Sequence, residues 1–366
     1  MRLGPITHRR HFFCAALLAA AALLVFFLLR MALFLTTPAG EPRGVIVRIS
    51  PGTSLNRIAE LLEEKRVVTS SRKFRWLARL SGKGSHIKAG EYELNASSTP
   101  LAILTTLASG KVRQIQVTIP EGYNMAQIGQ VLDTAGVAEP ARFLAICSDP
   151  ALIHRLGVEG DSLEGYLYPD TYSLAFFMTE EDVARIMVRR FLAVWKNYAA
   201  QARTRGRSMR QVIILASIVE KETGQPEERP LIAAVFSNRL RCGMRLQSDP
   251  TVIYGLTDYK GNLTRCHLLT PHPYNTYCIP GLPRGPIASP GEAAIRAALN
   301  PAHCDYLYFV SRNDGSHKFS CSLAEHNQAV AYFQKCRITR NASRAAAAAV
   351  KAAAGRPNSA ETSQSY

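Results

Sequence analysis

The first strong pattern along the chain is an unbroken apolar run. Phe12 to Leu29 carries no charge, and Met31-Ala-Leu-Phe-Leu35 continues it past Arg30. A bilayer core about 30 Å thick needs roughly 20 apolar residues in a helix, so residues 12–35 are expected to form a transmembrane helix. A cleaved signal peptide is the alternative. Its apolar stretch should be shorter, about 7–15 residues, and end at a small-residue site; Thr37-Pro-Ala39 is a poor one. Arg2, Arg9 and Arg10 crowd residues 1–11, which should therefore stay cytoplasmic while everything beyond the helix is exported. Arg30, near the outer end, can snorkel to the headgroups.

After the anchor the pattern becomes alternating and then helical, twice. Val47-Arg-Ile-Ser-Pro-Gly52 and the following Leu55–Leu62 match Val117-Thr-Ile-Pro-Glu-Gly122 and Met125–Leu132 at a constant offset of 70. Each copy reads as a strand, a turn and an amphipathic helix. Gly90-Glu-Tyr-Glu-Leu94 and Asp170-Thr-Tyr-Ser-Leu174 form a second recurring element. Residues 45–175 are expected to be one repeat region. The units resemble LysM modules, which hold glycans rich in N-acetylglucosamine; a plain α/β spacer fits them equally.

Residues 176–337 predict a helix-rich domain with a short sheet. Asp182–Ala202 reads as one long amphipathic helix and Met209–Thr223 as a buried one. Pro230 opens a third helix through Leu240, and Ser289-Pro290 starts a fourth that includes Glu292. Tyr306–Val310, Asn313-Asp-Gly315 and Lys318-Phe319 read as a hairpin. Ser322-Leu-Ala-Glu325 is a capping box for the last helix. The Ala-rich residues 338–366 have no apolar face to bury and are expected to be disordered. The fold class is therefore α+β: an N-terminal transmembrane helix, a small LysM-like α/β module, then a mixed, helix-rich domain.

Charge changes the picture little. The net charge of +16 raises nucleic acid as a partner, but the basic residues are scattered and an exported chain does not meet it. A basic surface facing anionic headgroups and wall polymer fits better. Besides Cys14, seven cysteines (Cys147, Cys242, Cys266, Cys278, Cys304, Cys321 and Cys336) show no C-x-x-C or zinc-like spacing, so no metal and no cofactor are expected.

Candidate chemistry centres on Ile214–Gly224. On a helix, Ile213, Ala216, Ser217 and Glu220 share a face. Two small side chains beside a carboxyl leave room for a ligand, and burial raises a carboxyl pKa toward a value useful for proton donation. A surface Glu beside Lys221 is the plainer reading. Glu222 is the main rival acid, expected to face elsewhere because it lies roughly 200° round the helix. Glu164 is a weaker candidate for support. Downstream loops rich in amides and tyrosines suit sugar binding, and Gln247, Asp249, Tyr254, Tyr274, Asn275 and Tyr277 are expected to line the groove.

At these positions the chain resembles the YceG-like endolytic murein transglycosylases. The matching runs are Leu163–Tyr172, Ala216–Thr223, Leu246–Tyr254, Tyr274–Tyr277 and His326-Asn327. The likeness extends from roughly Val45 to Gln334. Arg284 stands where that family usually has proline, and the cysteines are atypical. The resemblance implies a single-pass inner-membrane enzyme with its catalytic domain in the periplasm. It would cleave nascent peptidoglycan strands internally at the MurNAc–GlcNAc β-1,4 bond and leave a 1,6-anhydroMurNAc end, close to the cell-wall synthesis machinery. It also maps the catalytic Glu onto Glu220. A hydrolytic muramidase using a second carboxylate such as Asp249, and a non-catalytic glycan-binding tether, are the alternatives.

Overall fold

The computed structural model describes residues 5–257 and 259–335. The expected disordered tail at 338–366, Cys336 and the first four residues of the N-terminal segment lie outside them. The chain divides into two compact units.

The first unit holds residues 1–117, 133–138 and 172–179. It opens with α1 (Pro5–Thr36), whose Ala15–Thr36 stretch has a mean hydropathy of 2.5 and is almost wholly uncovered by protein. There follow β1 (Gly44–Ile49), α2 (Leu55–Glu64), α3 (Ser71–Leu80), β2 (Gly90–Asn95), α4 (Pro100–Ser109) and β3 (Gln114–Thr118). β1 pairs antiparallel with β2, Gly44 opposite Asn95 and Ile49 opposite Gly90. Alternation puts Val47 and Ile49 inward, where they meet Ile58 and Leu62 of α2, Phe74 of α3, Tyr92 and Leu94 of β2 and Leu104 of α4. Ser54, Ser70 and Thr99 cap the three helices. Phe34 joins this core from α1. Glu91 is fully buried there. Burial pushes its carboxyl up, but Arg113 at 2.7 Å and Arg48 at 2.5 Å outweigh that and hold it below the usual carboxylate range.

Among the described residues the second unit holds 118–132, 139–171, 180–257 and 259–335. Its described elements are α5 (Met125–Thr134), α6 (Pro140–Cys147), α7 (Pro150–Leu156), α8 (Glu180–Trp195), α9 (Ala199–Thr204), α10 (Met209–Glu222), α11 (Arg229–Arg241), α12 (Asp249–Gly255), α13 (Arg265–Leu269), α14 (Glu292–Leu299), β5 (Tyr308–Ser311), β6 (His317–Ser320) and α15 (Leu323–Val330). β4 (Thr171–Ala175) pairs with β3. The offset-70 repeat thus corresponds to two strand–helices–strand runs, β1 to β2 and β3 to β4. The LysM likeness goes no further than that.

At the centre lies α10, with every residue from Val212 to Val219 buried. Ser208 starts it with a full capping box through Gln211. It packs on α14, α11 and α12. The single helix expected over 182–202 is instead two, α8 and α9. Asn197 and Tyr198 donate to carbonyls only three residues back, tightening the chain out of the α ladder. The hairpin β5–β6 forms with Tyr308 opposite Ser320. At the last helix Ser322 caps Glu325, while the Glu325 carboxylate takes the Cys321 N–H rather than that of the cap residue.

Candidate active site

The face of α10 that looked open in the sequence is filled. Ser217 donates to Ile214 O and accepts the Ile287 N–H at 3.1 Å. Three residues later, less than one turn on, Glu220 Oε2 accepts the Gly291 N–H at 3.0 Å. Backbone from Ile287 to Gly291, not a ligand, occupies the space beside Ala216 and Ser217. Glu220 itself is 5% exposed and paired with Arg229 at 3.0 Å. Arg229 also faces Glu121 at 3.8 Å. Burial, and next the charge of Glu220, push the Glu121 carboxyl above the usual range, against the pull of Arg229. Gly122, with φ of +76°, turns the chain here and donates its N–H to Ser289 O; Lys221 bonds its carbonyl at 3.2 Å. At Gly291 a Cβ would overlap the Glu121 carboxylate, which would have to swing aside. Glu220 is thus engaged by a guanidinium and a backbone N–H, which differs from the expected apolar surround with room for a ligand.

Two residues on, the helix end presents Glu222 to a cleft of about 470 Å³. Arg239, Leu246, Gln247, Asp249, Tyr277, Phe309, His317 and His326 share its walls. The hydroxyl of Ser248 donates to Glu222 Oε1 at 2.5 Å. Burial pushes the Glu222 carboxyl up to about 7, Asp249 adds to the rise, and the Ser248 bond and Arg239 oppose it. The expectation that Glu222 faces away from a site is therefore overturned. Periodicity gave its direction on the helix but not which direction the loops would come to cover.

Those loops are held in detail. Gln247 sits at φ +51°, a left-handed conformation rare for a residue with a Cβ, with its N–H on Thr276 O and its Oε1 3.4 Å from Arg239 Nη1. Ser248 donates its N–H to Thr276 Oγ1 at 2.9 Å, and Thr276 and Thr251 hydroxyls meet at 2.8 Å. Asp249 takes the Tyr277 hydroxyl at 2.6 Å. Arg239 gives Nε to Leu307 O and Nη1 to Leu246 O, and lies over the Tyr308 ring. Burial, and after it Arg239, lower the His326 pKa; the ring stacks on Tyr308, and its Nδ1 is sealed in without a partner.

Of the six residues expected in the groove, Gln247, Asp249 and Tyr277 come together beside Glu222. The other three do not line it. Asn275 is buried and spends its amide on His267 O, Leu268 O and Thr270 O, bracing the loop from within. Tyr254 donates to Glu164 Oε2 at 3.0 Å and packs on Tyr274, ring centroids 4.8 Å apart. Glu164 is 2% exposed and accepts the Met125 N–H as well. Burial pushes it up to about 7, against those two bonds. Arg239, His317 and His326 were not among the residues expected in the groove; the runs Asn238-Arg-Leu240 and His326-Asn327 were the signals for two of them.

The YceG-like family model matches residues 47–332. The chain belongs to the YceG-like family. Curated relatives agree with this. An endolytic murein transglycosylase of Bacillus subtilis (strain 168) is 32% identical over 301 residues, covering 78% of this chain and 83% of that protein. One from Streptococcus pneumoniae serotype 2 is 30% identical over 329 residues, and there the match spans 60% of the relative. A crystal structure of a yceG-like protein from Listeria monocytogenes superposes with a TM-score of 0.55 at 32% identity, over 79% of this chain and all of that one. Glu222, nearly all of the cleft lining and the second strand–helices–strand run lie inside the span matched to the YceG-like family.

Proposed function

We propose that this chain is a membrane-anchored lytic transglycosylase of peptidoglycan and that Glu222 is its acid–base group. The observation that carries the reading is one carboxyl, raised to about 7, in the wall of the cleft that Gln247, Asp249 and Tyr277 share. Its relatives named endolytic murein transglycosylase supply the substrate class. Glu220, placed in this role by resemblance, is engaged by Arg229 and the Gly291 N–H. That engagement supports moving the role two residues along.

Protonated Glu222 donates to the oxygen of the β-1,4 bond between N-acetylmuramic acid and N-acetylglucosamine, and the C1–O bond breaks as positive charge builds on the muramic C1. The same carboxylate, now ionised and steadied by the Ser248 hydroxyl, takes the proton of the C6 hydroxyl. That oxygen bonds to C1 and closes the 1,6-anhydro ring. Glu222 ends as it began, protonated, and no water is consumed. Arg239 lies on the cleft wall where a positive group limits how far the Glu222 pKa can rise. The anchor reading rests on α1, and Arg2, Arg9 and Arg10 favour a cytoplasmic N-terminus with the remainder in the periplasm of the inner membrane. The repeated strand–helices–strand runs suit a glycan-holding role beside the enzyme, and the wall-synthesis machinery is the expected neighbour.

Asp249, a second carboxylate in the same cleft, favours one rival: a muramidase that directs water to C1. Digestion of purified glycan strands by the full chain in detergent, read by mass spectrometry, decides. Anhydro ends are expected. Reducing ends, heavier by one water, would establish hydrolysis, and intact strands would leave only a tether.

A further inference from the structure

We infer that the exposed face of α3 is a binding site for phospholipid headgroup phosphates, seating the first unit on the membrane beside its own anchor. The inference rests on the reading of α1 as membrane-spanning. A helix rises about 1.5 Å per residue, so the apolar run from Phe12 to Leu35 is long enough to cross a hydrocarbon core about 30 Å thick, with Phe34 in its last turn. Phe34 therefore marks the outer boundary of the hydrocarbon. It is also part of the first unit's core, 3% exposed, with Met31 and Leu35 packed against the same core. No linker separates anchor from unit. The Lys73 ammonium lies 5.6 Å from the centroid of the Phe34 ring, so the first turn of α3 stands at headgroup depth.

From that level α3 presents Arg72, Arg75, Trp76 and Arg79, spaced by three and four on one face, while Phe74, Leu77 and Ala78 are buried on the other. Together with Asn56 these four line a recess of about 300 Å³. Among the described residues none of the three arginines has a carboxylate within salt-bridge distance, and Arg75 meets only Asn56, at 3.4 Å. On neighbouring α2, Arg57 takes Glu60 and Glu64. Trp76 is 54% exposed and Leu80 73%. Unpaired guanidiniums fit phosphate as forked donors, and an indole belongs at the boundary between hydrocarbon and headgroup. A surface that only met water would gain nothing from holding an exposed Trp among three unsatisfied cations at this depth.

The full chain with Trp195→Phe, which leaves Trp76 as its one indole, is reconstituted into nanodiscs containing a nitroxide-headgroup lipid. Trp76 quenching is compared between phosphatidylglycerol and phosphatidylcholine discs. Quenching several-fold stronger in phosphatidylglycerol, collapsing toward the phosphatidylcholine level at high salt and in Arg72→Gln/Arg75→Gln/Arg79→Gln, is expected. Melting temperature and circular dichroism of the triple variant should match the parent's, which reports its folding. Equal quenching in both discs, insensitive to salt, overturns the site. So does a Trp76 response to inorganic phosphate or soluble glycan fragments in phosphatidylcholine discs, since the occupant is then not a lipid. A chain washed out of the discs by carbonate refutes the anchor instead, a different failure from a silent Trp76 in a retained chain.

Discussion

Ser248 Oγ stands 2.5 Å from Glu222 Oε1, at the start of the helix that also carries Asp249. The bond ties the end of α10 to the loop that closes over it, and it stabilises the carboxylate more than the acid. Glu220, two residues earlier, is tied with equal care to Arg229 and Gly291. In the proposed function the pair divides catalysis from architecture on a single helix end.

Glu222→Gln should cost on the order of 10²–10⁴ in kcat, the worth of a positioned acid–base group, with a melting temperature no lower than the parent's. Glu220→Gln should do the reverse. Breaking a buried pair costs about 3–5 kcal/mol, and the lower end is expected here because Glu121 remains near Arg229. Melting curves and strand digestion on both variants check this; full activity in Glu222→Gln would return the role to Glu220.

Activity should fall as pH rises through about 7, because only protonated Glu222 can donate. Ser248→Ala removes a bond that favours the ionised form, so the limb should move to higher pH. A shift of one unit corresponds to about 1.4 kcal/mol. A pH–kcat/KM profile of that variant lying on the parent curve would detach Ser248 from the acid.

Glu164 titrates near 7 when folded, against 4.5 ordinarily. Between these values the folded chain keeps a proton that the unfolded chain has released. Its contribution to stability is therefore complete below about 4.5 and lost as pH climbs through about 7. Glu164→Gln stays neutral throughout and still accepts from Met125 and Tyr254. The decline in melting temperature from acid to alkaline pH should be shallower in this variant than in the parent; parallel curves would refute the assignment.

His326 has one nitrogen sealed without a partner, so only Nε2 can meet a sugar in the cleft, and a neutral ring with its proton there is a donor. Gln places an N–H near that position, whereas Phe keeps only the stacking on Tyr308. His326→Phe should lower kcat/KM about tenfold, the scale of one hydrogen bond, and His326→Gln should recover most of it. Equal losses in both variants would reduce the ring to packing.

Local pattern by itself determined the apolar helix α1, the offset-70 repeat, the buried α10 and the β5–β6 hairpin. Each depends on neighbours within a few residues: period, cap and turn chemistry. It also gathered Gln247, Asp249 and Tyr277 as groove residues from loop composition. What it could not decide was which face of α10 would meet those loops. Ala216 and Ser217 read as space, and only the fold fills that space with the backbone of Ile287–Gly291. Asn275 and Tyr254 read as sugar ligands, and only the fold turns their polar atoms inward onto carbonyls and Glu164. A side chain's direction along a helix is fixed by 3.6 residues per turn, but what stands opposite it is set by segments some seventy residues away, and burial, partner and pKa all follow from that.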